Sequence, residues 1–113
     1  MLKSDWSFLK NAFRRVVSDV SRPELAFWFC NGRTARNIQE LVDGIKFSPD
    51  SVFYNHVSTN KDDFAKWILD VLGDNVLTAS LQNIKSKEAY VMTIEDRIEE
   101  INQKLVMLQY RKD

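Results

Sequence analysis

The sequence predicts an all-α fold: a compact bundle of short helices flanked by two longer amphipathic helices. Three observations predict it. Apolar residues recur at steps of three and four through most of the chain. Most of these stretches follow a Ser, Asn or Asp of the kind that caps a helix start. Three glycines and two prolines are too few for the turns of a many-stranded sheet. With 113 residues, 44% of them apolar, the chain makes one domain with a core of its own.

The first helix is expected from Ser4 to Val20. Trp6, Leu9, Phe13, Val16 and Val20 form its stripe, widened by Val17, with Ser4 as cap and Asp5 in the first turn. Arg22-Pro23 ends it, because a residue before proline is pushed out of the α region. Pro23 to Cys30 suits a second, short helix with proline at its first position and Asn31-Gly32 as a left-handed cap. Phe27, Trp28 and Phe29 suit a buried strand as well. A lone strand would lack a partner, so helix is the preferred reading.

Asn37 and Glu40 form a capping box ahead of Ile38, Leu41, Val42 and Ile45, with Gly44 weakening the last turn. Ser48 is expected to cap the following helix, with Pro49 at its first position and Phe47 stapled onto Val52. That helix runs through Phe53, His56 and Val57. Asn60 is expected to cap the next, with Asp62 and Asp63 in its first turn and Phe64, Trp67, Ile68, Val71 and Leu72 as its stripe. Gly73 stops it. Asp74 starts a short helix that buries Leu77, Leu81 and Ile84. Ser86 begins the last helix, which should run to about Tyr110. Residues 23–85 are thus a central module, and residues 4–20 and 86–110 are its flanking helices.

The last helix has heptad, coiled-coil-like character. Val91, Ile94, Ile98, Ile101, Leu105 and Leu108 are spaced 3, 4, 3, 4, 3. A helix of this length overshoots a bundle of two- to three-turn helices. Its end must meet another helix or carry leucines into water. Residues 1–22 carry five basic and two acidic side chains, net +3, and residues 86–113 carry five and six, net −1. Opposite signs favour contact between the terminal helices, within or between chains.

Function classes narrow by exclusion. Sixteen basic and sixteen acidic residues cancel, so the chain as a whole is no strongly basic nucleic-acid binder. One cysteine excludes an internal disulfide and a cysteine-based zinc site. No apolar run reaches the ~18–20 residues of a membrane span, and the N-terminus lacks a signal-peptide core. A cytoplasmic location without membrane contact is expected. There is no phosphate-binding glycine loop, metal-binding histidine pair or nucleophile elbow. No cofactor, metal, catalytic residue or small-molecule substrate is therefore expected. His56, the one histidine, reads as pinned by a carboxylate or carbonyl at a helix corner. Cys30, among Phe27, Trp28 and Phe29, reads as a small buried residue.

Four fragments follow one another in order: Phe29-Cys30-Asn31-Gly32-Arg33; Asn37-Ile38-Gln39-Glu40-Leu41; Phe53-Tyr54-Asn55-His56-Val57; and Asp62-Asp63-Phe64-Ala65-Lys66-Trp67-Ile68-Leu69-Asp70-Val71-Leu72-Gly73-Asp74. Together they resemble a small uncharacterised prokaryotic domain, common in archaea, over about residues 27–85. The last fragment is long and specific, although this chain has Asp62-Asp63 where Asn-Asp is commoner. The resemblance implies a helical fold and no reaction. It also implies a structural corner of His56, Asp63 and Trp67, with Asp63 capping its helix and facing the imidazole while Trp67 packs beneath.

The expected function is a non-catalytic protein–protein interaction or adaptor module, homodimeric through its terminal helices. The candidate interface is Val91, Ile94, Ile98, Ile101, Leu105 and Leu108 with Trp6, Leu9 and Phe13. The alternative is an RNA- or ribosome-associated accessory protein. Its local basic patch would draw on Lys10, Arg14, Arg15, Arg33 and Arg36, despite the zero net charge.

Overall fold

The computed structural model describes residues 3–109. Helix α1 spans Lys3–Val17, and a single 3-10 turn follows at Pro23–Leu25. Two short strands come next, β1 (Phe27–Trp28) and β2 (Thr34–Ala35). Then follow α2 (Ile38–Phe47), α3 (Asp50–His56), α4 (Asp63–Trp67), a π turn at Ile68–Leu72, α5 (Asn75–Leu81) and α6 (Lys87–Gln109). The described chain is mostly helical.

The segment Pro23–Cys30 is not a helix. Only Pro23–Leu25 coils, and Phe27 and Trp28 pair antiparallel with Ala35 and Thr34. The missing strand partner lies across the Asn31-Gly32 turn, where Gly32 takes φ +89°. The Phe29 N–H donates to the Arg33 carbonyl at 2.8 Å, extending the ribbon. Side chains alternate as in any strand: Phe27 and Phe29 are buried, Trp28 and Cys30 exposed. The expectation of a buried Cys30 is therefore overturned, because the thiol sits on the outward side of the pleat.

Helix starts hold in kind and shift in place. Asn37 caps α2, its Oδ1 accepting the Glu40 N–H at 2.7 Å. Glu40 reaches back to the Arg36 N–H at 2.9 Å, so the box closes one residue earlier than expected. Gly44 lets α2 lie against Phe29; a Cβ there would stand 2.5 Å from the ring. Ser48 does not cap α3: Pro49 holds that position with no side-chain bond. Phe47 is exposed beneath the Lys46 ammonium and makes no staple onto Val52. Val57 falls just beyond α3 and bridges Asp62. The Ser58 N–H to Lys61 carbonyl bond, 2.9 Å, folds this loop tightly. The cap of α4 is consequently Asp62 rather than Asn60, accepting the Ala65 N–H at 2.9 Å. Gly73, at φ +77°, closes the π turn by donating to the Ile68 carbonyl at 2.9 Å. Asp74 caps α5 at 3.0 Å, and the Ser86 hydroxyl accepts the Ala89 N–H at the start of α6. Helix α1 ends at Val17, and Val20 instead donates its N–H to the Arg36 carbonyl at 2.7 Å.

Helix α6, about 34 Å long at 1.5 Å per residue, is the spine against which α1, α2 and α5 pack. The Lys46–Glu95 ion pair at 3.2 Å ties the C-terminal end of α2 to the first half of α6. A buried pair ties the α5 cap to α6: Arg97 donates to both Asp74 oxygens, at 2.8 and 3.0 Å. Beyond that point α6 is accompanied by α1 running antiparallel. Trp6, Leu9 and Phe13 meet Lys104, Met107 and Leu108, while Arg15 reaches the Val71 carbonyl and Gly73. The result is an elongated molecule, 48 × 28 × 23 Å, with a two-helix arm of α1 and the C-terminal half of α6.

Candidate interaction surface

The chemical candidates fall into place first. His56 is buried, at the end of α3. Its Nε2 accepts the Cys30 N–H at 3.0 Å, so the ring proton sits on Nδ1 and is donated to Asp63 Oδ2 at 2.9 Å. The lone pair that a general base would use is thus spent on a backbone N–H. The imidazole tethers the β-ribbon to the start of α4. Burial opposes ionisation of Asp63, but hydrogen bonds from His56 and Lys61 prevail and hold its carboxyl below the ordinary value. Asp63 lies in the first turn of α4, next to the capping Asp62. Phe27 joins Trp67 to His56, its ring 5.2 Å from the imidazole and 6.0 Å from the indole. The indole N–H donates to the Leu25 carbonyl at 2.7 Å. Asp62 also receives the buried Tyr90 hydroxyl, at 2.7 and 2.8 Å. Burial and that carboxylate together push the Tyr90 phenol far above its usual value. Among the described residues no group of three His, Cys, Asp or Glu is gathered that could hold a metal ion.

The heptad seam of α6 lies largely inside the chain's own packing. Val91, Ile94, Ile101 and Leu108 are buried, and Ile98 and Leu105 are half-buried. They face α2, α5 and α1, with Trp6, Leu9 and Phe13 closing over the C-terminal end. The chain's own first helix therefore covers the apolar stripe that overshoots the central module.

The five basic residues are not gathered into one patch by any contact between them. Arg36 pairs with Glu40 at 3.2 Å, and Arg15 is engaged with Val71 and Gly73. Arg33 stands at the tip of the β-ribbon. Lys10, half-buried, and Arg14, exposed, stand one turn apart on α1 and make no ion pair among the described residues.

What remains open is the outer side of α6. Met92, Glu95, Glu99, Asn102 and Val106 each follow a seam residue by one position, so they lie on a face turned about 100° from the seam. Met92 is 62% exposed, Val106 52% and Met107 60%. Gln39 at the start of α2 and Ile98, Val106 and Met107 of α6 line a shallow groove of about 770 Å³ there, rimmed by Glu95, Glu99, Asn102 and Gln103. Met107 borders a second groove, between α1 and α6, and so joins this surface to Leu9 and Phe13. The interface expected from the sequence lies on the seam and does not include this neighbouring face. Its apolar residues are diluted by Glu, Asn and Gln, so its period does not stand out.

No helix among the described residues is long and apolar enough to cross a membrane. Comparison with protein-family models, with curated proteins and with solved structures finds no match to this chain.

Proposed function

We propose that this chain is a non-catalytic protein–protein interaction module of the cytoplasm, and that its partner lies along the open face of α6. The observation that carries the reading is the exposed apolar line Val106–Met107, continuous with Ile98 on one side and with Leu9 on the other. Such a continuous apolar surface with a polar rim is what protein partners cover. The heptad period of α6 supports coiled-coil-like packing of helices around this arm. The lone thiol suits a reducing compartment.

The alternative RNA-associated reading is the weaker. Arg15 and Arg36 are held within the chain, leaving Lys10, Arg14 and Arg33 for phosphate contacts.

A photo-crosslinking residue placed at Val106, in the cells from which the protein comes, tests the reading. We expect a discrete protein adduct from Val106 and none from a control at Thr59, on the α3–α4 loop. No adduct at Val106, or the same adducts at both positions, would overturn it.

A further inference from the structure

The open face has a charge character as well as an apolar one. Helix α1 carries four basic residues and one acidic, net +3, and α6 carries three basic and five acidic, net −2. These two helices lie side by side, yet no ion pair among the described residues joins them. The one cation placed across them is Lys104 of α6, which lies over the Phe13 ring of α1, 5.9 Å from its centroid. On α1 Arg14 is exposed and Lys10 half-buried; on α6 Glu99 and Asn102 are exposed. The arm is also only two helices thick. It leaves Val106, Met107 and part of Leu9 in water, where a four-helix arrangement would cover them.

From these observations we propose that the open face of the arm is covered by the same arm of a second copy of this chain, α1 of each copy lying along α6 of the other. The inference rests on reading the α6 face as an interaction surface. It names the occupant: a basic amphipathic helix, which α1 of another copy supplies. A two-fold arrangement meets the requirement that one self-complementary patch serve both chains. The basic flank of each α1 meets the acidic rim of each α6, so both halves of the interface are matched at once. Apolar contact of Ile98, Val106 and Met107 supplies the attraction, and the charges select the partner and its orientation.

The area sets the strength. An arm about 22 Å long and two helices, roughly 20 Å, wide has a footprint of about 450 Å². That is at the small end of specific interfaces, which bury ~800 Å² per partner. So small a patch leaves little excess over the cost of association, and a weak dimer, with a dissociation constant about micromolar or above, is the expectation.

Sedimentation equilibrium of the full chain from about 1 to about 200 µM, spanning that constant, reads the mass. Two variants reverse one face each. Lys10→Glu with Arg14→Glu makes α1 acidic, and Glu99→Lys with Asn102→Lys makes α6 basic. Arg14, Glu99 and Asn102 are exposed, Lys10 is half-buried, and none of the four holds an ion pair among the described residues, so both variants should fold, as circular dichroism will check. Each alone should dimerise more weakly, its dissociation constant raised at least about tenfold by like charges. Mixed in equal amounts they should form a dimer, because both halves of the mixed interface are then opposite in sign.

Three results would overturn the inference. They are a wild-type monomer at the highest concentration, a variant that dimerises alone as tightly as the wild type, and a folded mixture that dimerises no more tightly than either variant alone. A wild-type monomer that still gives a Val106 adduct with a different protein would overturn the second copy and leave the interaction reading standing. Absence of any adduct at Val106 would overturn that reading itself.

Discussion

The ring of Phe29 occupies the space that a side chain on Gly44 would need. A Cβ at Gly44 would lie 2.5 Å from Phe29 Cζ and 2.7 Å from Cε2. Glycine in the penultimate turn of α2 is thus a packing requirement between the β-ribbon and the helix, although by propensity it weakens that helix.

Gly44→Ala should accordingly destabilise the protein, by ~1–3 kcal/mol, the usual cost of overpacking. The better helix propensity of alanine returns at most about 1 kcal/mol of this. Gly32 makes the contrast: nothing lies within 4 Å of a Cβ there, but φ is +89°. Gly32→Asn should be nearly neutral, because asparagine tolerates the left-handed region. Urea denaturation midpoints measure both, and a stable Gly44→Ala protein would contradict the packing described.

The corner of Trp67, Phe27 and His56 should behave as one unit. Trp67→Ala removes a buried indole and should cost ~3–5 kcal/mol, a large share of the ~5–15 kcal/mol that holds a domain together. His56→Ala leaves the Cys30 N–H and Asp63 without their imidazole partner, and should cost ~1–3 kcal/mol. Because both act through Phe27, the double variant should lose less than the sum. Additive losses in a denaturant series would show that the two side chains are energetically separate.

Acid should weaken the fold through three carboxylates. Hydrogen bonds from Arg36 lower Glu40, those from His56 and Lys61 outweigh burial at Asp63, and a bond from Arg97 lowers Glu100. A folded-state value below the unfolded one means stability that is complete above the unfolded values of ~3.9–4.3 and is lost as pH falls through the lowered values. Thermal midpoints should therefore hold from pH 7 to about pH 5 and fall below about pH 4. Glu40→Gln should flatten that fall. Tyr90 acts at the other end: its raised phenol stays protonated in the fold, so stability should decline once unfolded tyrosine ionises, above about pH 10. Tyr90→Phe should remove that decline, at the expense of the bond to Asp62.

Binding to total RNA should be absent at about 50 mM salt, a condition that favours phosphate contacts. Two of the five candidate cations are held within the chain. A filter-binding titration reads this. Tight binding that Lys10→Glu with Arg14→Glu abolishes would favour the RNA-associated function over protein partners.

Much of the architecture was legible because helix starts and stripes are local properties. Asn37, Asp74 and Ser86 cap where their side chains allow, and the stripe from Phe64 to Leu72 is largely buried. What escaped depends on distant partners. Phe27 to Cys30 alternate inward and outward, but all four are apolar, so hydropathy cannot display the alternation. Asn60 and Asp62 are both good caps; the Ser58–Lys61 turn and the Tyr90 hydroxyl, 28 positions away, favour Asp62. For the candidate site, the buried stripe of α6 was plain. The identity of what covers it was not, since period alone does not distinguish the chain's own α1 from another molecule. Charge partition between the two terminal helices was visible in composition, whereas their side-by-side packing needed the structure.

That pairing also sets an order of events during synthesis. The apolar stripe of α1 leaves the ribosome before the residues of α6 that cover it, Lys104 to Leu108, which are made roughly a hundred residues later. At ~5–20 residues per second this is a delay of about 5–20 s. Over that interval Trp6, Leu9 and Phe13 have no native cover, while the segments from β1 to α5 can already collapse around Phe27, Phe53 and Phe64. This stretch of the nascent chain is therefore open to off-pathway association, or to capture by a chaperone, along α1 until α6 is made.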